Sequence, residues 1–237
     1  MTSTYRELPP ARFPEIVLCR WEHTVSPGCG ALRPRIIPDA CADIIVSADG
    51  EAVLVGPTMH ADFPLLAGGA HIRGIRFRTE ALAAALGVPG SEIRDAQVSL
   101  DAVLPRRAVA ETADAVWEGR HPKSLRPTQV DGRVLRAVHR LATEPLVDMT
   151  ALSDEVNVST RHLRRLLIEH SGLEPRAINR VARLQRFVRE GQHAWPSVSL
   201  STLASTAGYS DQAHMTREVR ELTGTTPMNL LRERRVA

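Results

Sequence analysis

Hydrophobic and polar residues alternate in short runs through the first third of the chain. Turn-forming residues separate the runs near positions 26–28, 49–50 and 68–69. Alternation with a period of two predicts β-strands, and many short strands are typical of a sandwich or a small barrel. The predicted strands are residues 16–25, 33–39, 41–48, 52–58 and 71–78.

The pattern changes to helical spacing after residue 78. Thr79 is suited to cap a helix over residues 80–87, and residues 106–119 form a longer amphipathic pattern. The stretch 121–129 contains two prolines and has the composition of a linker. Beyond it, apolar residues recur with helical spacing almost to the end of the chain. We therefore expect an α+β protein, with a small β-barrel-like domain and trailing helices at 1–120, a linker at 121–129 and an all-α domain at 130–237.

The helical part contains an internal repeat, in which residues recur at an offset of 52 positions. Repetition at a fixed offset is the signature of a duplicated structural unit. The recurring pairs are His162 and His214, Leu163 and Met215, Arg165 and Arg217, Leu167 and Val219, Gly172 and Gly224, and Pro175 and Pro227.

Each copy of the repeat shows the same order of helix signals. A short helical stretch, 149–156 or 200–207, leads through a tight turn to a capping residue, which is Ser159 in the first copy and Ser210 or Asp211 in the second. A second helix then ends at a glycine, and a proline opens the next helix. This order predicts a helix-turn-helix, whose second helix can lie in the major groove of DNA. The alternative is a helical bundle in which the repetition is accidental.

The residues of both copies resemble a known DNA-binding family. Residues 210–217, SDQAHMTR, and 224–227, GTTP, are similar to the signature of the second unit in the AraC/XylS family of transcriptional regulators. Residues 158–167, VSTRHLRRLL, resemble the first unit of that family. The resemblance implies a single long helix between the units, which residues 175–189 fit, with Arg183 where an arginine is usual. It implies a sequence-specific, signal-responsive transcriptional regulator.

Outward-facing polar residues on the second helix of each unit are the candidates for DNA contact. In the first unit, Leu163, Leu166 and Leu167 share the inward face, which leaves the arginines on the outward arc. Arginine favours guanine O6 and N7 or phosphate oxygens, although a charged helix face can also be merely solvated. The candidates are Arg161, Arg164 and Arg165 in the first unit and Gln212, His214 and Arg217 in the second.

The helix between the units carries three more arginines, Arg180, Arg183 and Arg186. They could reach phosphates, but exposure to solvent or intramolecular salt bridges are equally compatible with their positions.

The N-terminal domain offers fewer signals. Residues 35–45 and 74–78 resemble an uncharacterised, sensor-like domain that precedes such modules, and this resemblance implies no particular ligand. Alternate positions of the first predicted strand share one face, which would point into a barrel. These positions are Val17, Cys19, Trp21, His23 and Val25. Trp21 and His23 are therefore candidates for lining a ligand pocket, and the alternative is that both are ordinary core residues.

Charge is divided unevenly along the chain. Residues 1–120 hold 12 basic and 15 acidic residues, a net charge of −3, whereas residues 121–237 hold 18 basic and 12 acidic residues, a net charge of +6. A basic C-terminal half favours contact with nucleic acid, and an acidic N-terminal half favours a function other than nucleic-acid binding.

The three cysteines, Cys19, Cys29 and Cys41, lack the CxxC spacing of zinc or redox sites. We expect reduced, ordinary thiols, with redox sensing as the alternative. A cysteine-dependent DNA-repair methyl acceptor fused to the same helical module is the alternative function, but it needs a zinc-held thiolate and four cysteines. We expect no enzyme activity, metal or cofactor, because no catalytic, metal-ligand or phosphate-binding motif occurs in the sequence.

The chain has no run of 18 apolar residues and no secretory signal, which predicts a cytoplasmic protein that does not bind a membrane. The expected partners are double-stranded promoter DNA, RNA polymerase, a small-molecule effector and a second copy of the chain in a homodimer. A structural DNA binder without a sensor is a third possibility, which the long N-terminal domain disfavours.

Overall fold

A six-stranded antiparallel sheet lies in the N-terminal half of the computed structural model, which describes residues 3–125 and 129–236. The strand order is β1-β2-β5-β3-β4-β6, so β1 and β6 are the edges of an open sheet rather than neighbours in a closed barrel. The strands are β1 (Ser3–Leu8), β2 (Val17–Val25), β3 (Ala42–Ser47), β4 (Ala52–Val55), β5 (His71–Phe77) and β6 (Gln97–Ser99).

Helices make up the rest of the regular structure, which confirms the α+β division. In the described ranges, no helix is both long and apolar enough to cross a membrane. Short helices follow the sheet, and longer ones fill the C-terminal half. They are α1 (Leu82–Leu86), α2 (Gly90–Ile93), α3 (Arg106–Trp117), α4 (Gly132–Thr143), α5 (Met149–Glu155), α6 (Thr160–Ser171), α7 (Pro175–Ala194), α8 (Leu200–Ala207), α9 (Gln212–Thr223) and α10 (Pro227–Val236).

The predicted strand at 33–39 is wrong. This segment forms only two isolated bridges with a later segment, Leu32 with Leu66 and Ile36 with Asp62. The segment contains two prolines, which have no backbone N–H to donate to a continuous ladder. The edge strands β1 and β6, in contrast, were not expected from the sequence pattern.

A β-bulge in β2 changes which side chains share a face. Val17 pairs with Phe77, but Cys19 pairs with Arg76, so the register shifts between them. Because neighbouring residues on β5 point to opposite faces, Val17 lies on the opposite side of the sheet from Cys19 and Trp21. The prediction that Val17 shares their face is therefore wrong.

The N-terminal core forms on the face of the sheet that carries Ile44, Leu54 and Phe77, all fully buried. Helices α1 and α3 contribute buried alanine, leucine and valine side chains to this core. Thr79 does not cap a helix, because it lies inside a short 3-10 turn that has no side-chain cap. Leu125, in the predicted linker, also packs into this core, and residues 126–128 of that linker lie outside the described residues.

The 20-residue helix α7 is the centre of the C-terminal half. Its apolar side chains, including Ile178, Leu184 and Phe187, belong to one cluster with the buried residues of α4 to α6 and of α8 to α10. Burial of this stripe stabilises the helix in the way expected for an amphipathic element with neighbours on several sides. Three residues from the N-terminal half, Ile37, Ala40 and Met59, join the same cluster. The two halves therefore share part of a core.

Polar side chains on α7 bind the C-terminal ends of two neighbouring helices. Arg186 donates to the carbonyl oxygens of Ala142 and Thr143 in the last turn of α4 and of Ala207 at the end of α8. Asn179 donates to two further carbonyl oxygens at the end of α4. The last carbonyl groups of a helix have no partner within it, so these bonds satisfy otherwise unpaired acceptors. They attach both helices to α7 at defined positions.

Gly74 in β5 allows the indole ring of Trp21 to lie directly on the sheet. A Cβ atom at this position would be 2.3 Å from Cε2 of Trp21. We expect Gly74→Ala to lower the free energy of unfolding by about 1–3 kcal/mol, because the ring must shift within a packed environment. Urea denaturation would measure this change. Gly28→Ala is the matched control, since no atom lies within 4 Å of its added Cβ; equal stability of the two variants would contradict the packing argument.

Candidate nucleic-acid interface

The first helix-turn-helix unit consists of α5, a tight turn and α6. Asn157 in the turn has a φ of 54°, a left-handed conformation that asparagine tolerates better than most residues. The hydroxyl of Ser159 accepts a hydrogen bond from the amide of His162 at 3.2 Å, which confirms Ser159 as the N-cap of α6. The helix ends at Gly172, whose φ is 73°.

The second unit repeats this arrangement with α8 and α9. Gly208 takes the left-handed conformation in its turn, with a φ of 90°. Asp211, rather than Ser210, caps α9 by accepting a hydrogen bond from the amide of His214 at 2.7 Å. This bond holds the pKa of Asp211 below its usual value. The helix ends at Gly224, at the position equivalent to Gly172 in the repeat.

Both second helices bury the apolar face that their sequence predicts. Leu163, Leu166 and Leu167 of α6 are buried, as are Met215 and Val219 of α9. Five of the six candidate residues for DNA contact therefore lie on exposed arcs. They are Arg161, Arg164, Arg165, Gln212 and Arg217.

Most of these exposed side chains have no intramolecular partner. Within the described parts of the chain, the side chains of Arg161, Arg165, Gln212 and Arg217 make no hydrogen bond or ion pair. Arg164 donates to Glu174 at 2.6 Å, but both side chains are exposed, and such a pair contributes at most about 1 kcal/mol. Each second helix thus presents hydrogen-bond donors that are available to a ligand.

His214 is placed differently from the other candidates. It is partly buried, its Nδ1 atom lies 3.0 Å from the hydroxyl oxygen of Ser210, and its ring packs edge-on against Tyr209 at 5.4 Å. Its Nε2 atom is 3.9 Å from a carboxylate oxygen of Glu218. Both ring nitrogens therefore face groups of the protein itself, and a contact between His214 and DNA stays a prediction.

Two arginines of the connecting helix α7 hold a buried carboxylate of α9. Arg180 and Arg183 lie 3.0 Å and 2.9 Å from Oε2 of Glu218, whose side chain is 7% exposed. Arg183 also stacks over the ring of Tyr209 at 5.4 Å. These arginines form intramolecular salt bridges, the second of the alternatives that the sequence left open. Arg186 is likewise occupied, by the carbonyl groups of α4 and α8.

Sequence reasoning did not single out Glu218, although the signal was present. Glu218 stands with Met215, Val219 and Leu222 on the stripe of α9 that the helical period places inward. A carboxylate on a buried stripe requires a cationic partner. An arginine pair spaced three residues apart on the neighbouring helix supplies it.

The structure places Trp21 and His23 on the sheet face opposite Ile44 and Phe77, and both are buried. The indole nitrogen of Trp21 donates to Oδ1 of Asp43 at 2.6 Å. Burial lowers the pKa of His23. Their role in binding a ligand stays a prediction.

The two residues belong to a polar and aromatic cluster on this face. Arg76 lies 3.1 Å from Asp43, 3.2 Å from Asp39 and 3.5 Å from Glu7. The ring of Tyr5, 49% exposed, lies 5.9 Å from Trp21 and 6.0 Å from His23, so the cluster reaches the surface at β1.

Cys19 and Cys41 do not have the environment of a reactive thiolate. Cys19 and Cys41 are buried; burial raises the pKa of Cys19 to about 11 and also raises that of Cys41. A nucleophilic cysteine requires the opposite shift. Among the described residues, no three His, Cys, Asp or Glu side chains are grouped so that they could hold a metal. These findings do not favour the methyl-acceptor alternative.

Two protein-family models match the sequence. Residues 152–233 match a model described as a helix-turn-helix domain, and residues 5–99 match a domain of unknown function, DUF6597. The first match contains the second helix of each unit, α6 and α9. No curated protein matches the chain.

Solved structures of low sequence identity also match. The C-terminal domain of AraT, a response regulator from Geobacillus stearothermophilus, is 16% identical over 46% of this chain and 92% of its own, with a TM-score of 0.42. An AraC-type transcriptional regulator from Chromobacterium violaceum is 24% identical over 43% and 91%, with a TM-score of 0.39. ToxT from Vibrio cholerae O395, bound to (E)-4-(8-methylnaphthalen-1-yl)but-3-enoic acid, is 8% identical over 98% and 99%, with a TM-score of 0.49.

The buried pair between α7 and α9 can be tested by removing its carboxylate. We expect Glu218→Ala to lower the free energy of unfolding by about 3–5 kcal/mol, because two guanidinium groups lose their shared partner. Chemical denaturation followed by circular dichroism measures this. Glu221→Ala is the control: its carboxylate pairs with Arg180 but is 65% exposed, so the expected loss is at most about 1 kcal/mol. If the free energy of unfolding falls by similar amounts in both variants, burial does not make the ion pairs of Glu218 more important to stability than the ion pair of Glu221.

Proposed function

We propose that this protein, a DNA-binding transcriptional regulator with a C-terminal helix-turn-helix domain of the AraC type, reads two successive major-groove segments of promoter DNA with one chain. In this arrangement α6 enters one segment and α9 enters the next. The binding site is then asymmetric, because the two helices carry different side chains.

One observation carries the proposal: Arg165 and Arg217 are equivalent in the repeat, both are exposed, and among the described residues neither side chain makes a hydrogen bond or salt bridge. Within that part of the chain, Arg217 interacts only with the charge of the nearby cap residue Asp211. By contrast, Arg180, Arg183 and Arg186 on the helix between the units are all bound within the protein. The fold therefore leaves the arginines of the recognition helices available while it uses those of the connecting helix for structure.

The side chains determine which bases each helix can recognise. The guanidinium groups of Arg165 and Arg217 can donate two hydrogen bonds to O6 and N7 of guanine. Arg161 and Arg164 near the start of α6 are suited to phosphate oxygens or a second base, and Gln212 is suited to adenine. Among the six candidates, the side chain of His214 has the least freedom to reach DNA, because it contacts Ser210 and the ring of Tyr209.

We further propose that the N-terminal domain responds to a small-molecule signal bound beside Trp21 and His23. The ring of Tyr5 packs against both residues and is itself exposed, so the cluster reaches the surface, which supports the proposal. Asp43 and Arg76 in the same cluster could orient polar groups of a ligand. Contact with RNA polymerase and formation of a homodimer stay predictions.

The two-segment proposal predicts separate effects for the two arginines. Replacing Arg165 with Ala should relax base preference in one segment of the site and replacing Arg217 with Ala in the other, each at a cost of about 1–3 kcal/mol. Selection from a randomised DNA library, followed by affinity measurement on the selected sites, tests both variants. A contact to phosphate alone would instead weaken binding to all sequences and reduce the salt slope by about one unit.

Arg189→Ala is the matched control for the loss of one positive charge. Arg189 lies on α7, its side chain is 66% exposed, and it is not on a recognition helix. We expect this variant to keep the wild-type base preference. If Arg165→Ala and Arg217→Ala leave both affinity and base preference unchanged, α6 and α9 do not lie in the major groove.

The proposed effector site can be tested by fluorescence. In a variant with Trp117→Phe and Trp195→Phe, Trp21 is the sole tryptophan. A small metabolite that changes DNA affinity should also change the emission of Trp21, since the indole would line its site. A metabolite that alters DNA binding without changing this emission would place the effector site elsewhere.

A further inference from the structure

The N-terminal half contacts both recognition helices at equivalent positions. Gly172 and Gly224 follow the last residues of α6 and α9 and are related by the repeat. A Cβ atom added to Gly172 would lie 2.5 Å from the carbonyl oxygen of Gly90, and one added to Gly224 would lie 3.6 Å from Nη1 of Arg35. Each recognition helix therefore ends against a residue of the N-terminal half.

The contact at α6 is made by backbone atoms. A Cβ atom at Gly90 would lie 2.3 Å from the amide nitrogen of Gly172, so neither position has space for a side chain. Backbone atoms in direct contact cannot adjust by changing rotamer, in contrast to a contact between long side chains. The backbone of Gly90, the first residue of α2, therefore fixes the position of the end of α6 by direct contact.

The contact at α9 depends on one side chain. Nη1 of Arg35 donates to the carbonyl oxygen of Thr223 in the last turn of α9 at 2.5 Å, and its Nε donates to Glu233 of α10 at 3.0 Å. The guanidinium stacks on the ring of Phe63 at 4.8 Å, and the backbone oxygen of Arg35 accepts a bond from Arg234. A cation at this end of a helix also interacts favourably with the helix dipole.

The connecting helix α7 is attached to the same segment of the N-terminal half. Gln185 donates to the carbonyl oxygen of Pro38 at 2.5 Å, and Ile37 and Ala40 pack into the C-terminal core. Residues 35–40 therefore hold the end of α9 and the middle of α7 together, while Gly90 holds the end of α6. This is a second connection between the units, in addition to α7 itself.

We propose that Arg35 is a positioning residue for DNA recognition, which sets the distance between α6 and α9 and hence the spacing accepted between the two segments of the DNA site. The proposal rests on the two-segment function above. Arg35 lies at the opposite end of α9 from the cap residue Asp211, so it acts through the helix and not by contact with a base. The hydrogen bond between Arg35 and the end of α9 also connects the N-terminal domain to α9, so a signal that moves Arg35 would change the position of α9.

The test compares DNA sites in which one base pair is inserted or deleted between the two segments. Wild-type protein should prefer one spacing, because each base pair changes both the distance and the rotation between successive groove segments. In the full-length Arg35→Ala variant, base preference within each segment should persist, while the discrimination between spacings should fall about fivefold or more. Circular dichroism and thermal unfolding establish that the variant is folded.

Arg33→Ala is the matched control. Arg33 lies two residues away and is exposed, and among the described residues its side chain donates only to the carbonyl of Phe63, within the N-terminal half. We expect it to keep the wild-type spacing profile. If Arg35→Ala does not fold, Arg35→Lys replaces it, because one ammonium group cannot reproduce the planar fork that spans Thr223 and Glu233.

The outcomes separate the two proposals. A wild-type protein that is indifferent to spacing would overturn the two-segment function itself. If wild-type protein prefers one spacing and the folded Arg35→Ala variant shows the same preference among spacings, only the positioning role of Arg35 is overturned. Loss of binding at every spacing by a folded variant would also overturn it, because positioning predicts a changed preference and not an absent one.

Discussion

The carboxylate of Glu218 lies in the interior between α7 and α9, where the guanidinium groups of Arg180 and Arg183 pair with it. A buried ion pair of this kind contributes little net stability, but it strongly disfavours any arrangement that separates the partners. It therefore specifies how α9 is oriented on α7. This contact and the hydrogen bond of Arg35 to the end of α9 together position the second helix-turn-helix unit relative to the first, since α7 lies between the two units.

The same helix fixes its other neighbours by hydrogen bonds to their ends. Arg186 and Asn179 bind carbonyl groups at the ends of α4 and α8, so one helix of 20 residues positions the first helix of the second unit and the helix that precedes the first unit. The arginines used in this way are unavailable to DNA, whereas Arg165 and Arg217 on the recognition helices are available. The partly buried arginines of α7 therefore stabilise the fold, whereas the exposed arginines of α6 and α9 present hydrogen-bond donors at the surface.

The sequence predicted the helical half well, because its signals are local. A short window of sequence reveals Ser159 as a cap and narrows the second cap to Ser210 or Asp211, and the offset of 52 residues brings Gly172 and Gly224 to equivalent helix ends. The inward leucines and outward arginines of α6 followed from the helical period alone. Strands β2, β3 and β5 were also predicted, since their alternation is regular.

Features that depend on distant partners were not predicted. Alternation cannot reveal the bulge after Val17, which depends on the register with β5, nor the short edge strand β6, which pairs with β4. Ile37 and Met59 were identified with the N-terminal half by sequence, yet they pack into the C-terminal core. The hydrophobic character of a residue predicts that its side chain will be buried, but it does not predict which element the side chain will pack against. The role of Arg35 was missed for the same reason, since its partners are about 190 residues away.

We expect α7 and its buried ion pairs to hold the two units in one arrangement before DNA is bound. Asp154 on α5 and Ser205 on α8 are exposed, and each precedes the left-handed turn residue of its unit by three positions. Both are suited to spin labels after substitution by cysteine, in a background with Cys29→Ser. Electron-electron double resonance between the labels measures the distance between the units. A fixed arrangement of the two units predicts a single narrow distribution that does not shift when DNA is added. A broad or divided distribution that narrows only on DNA would contradict it.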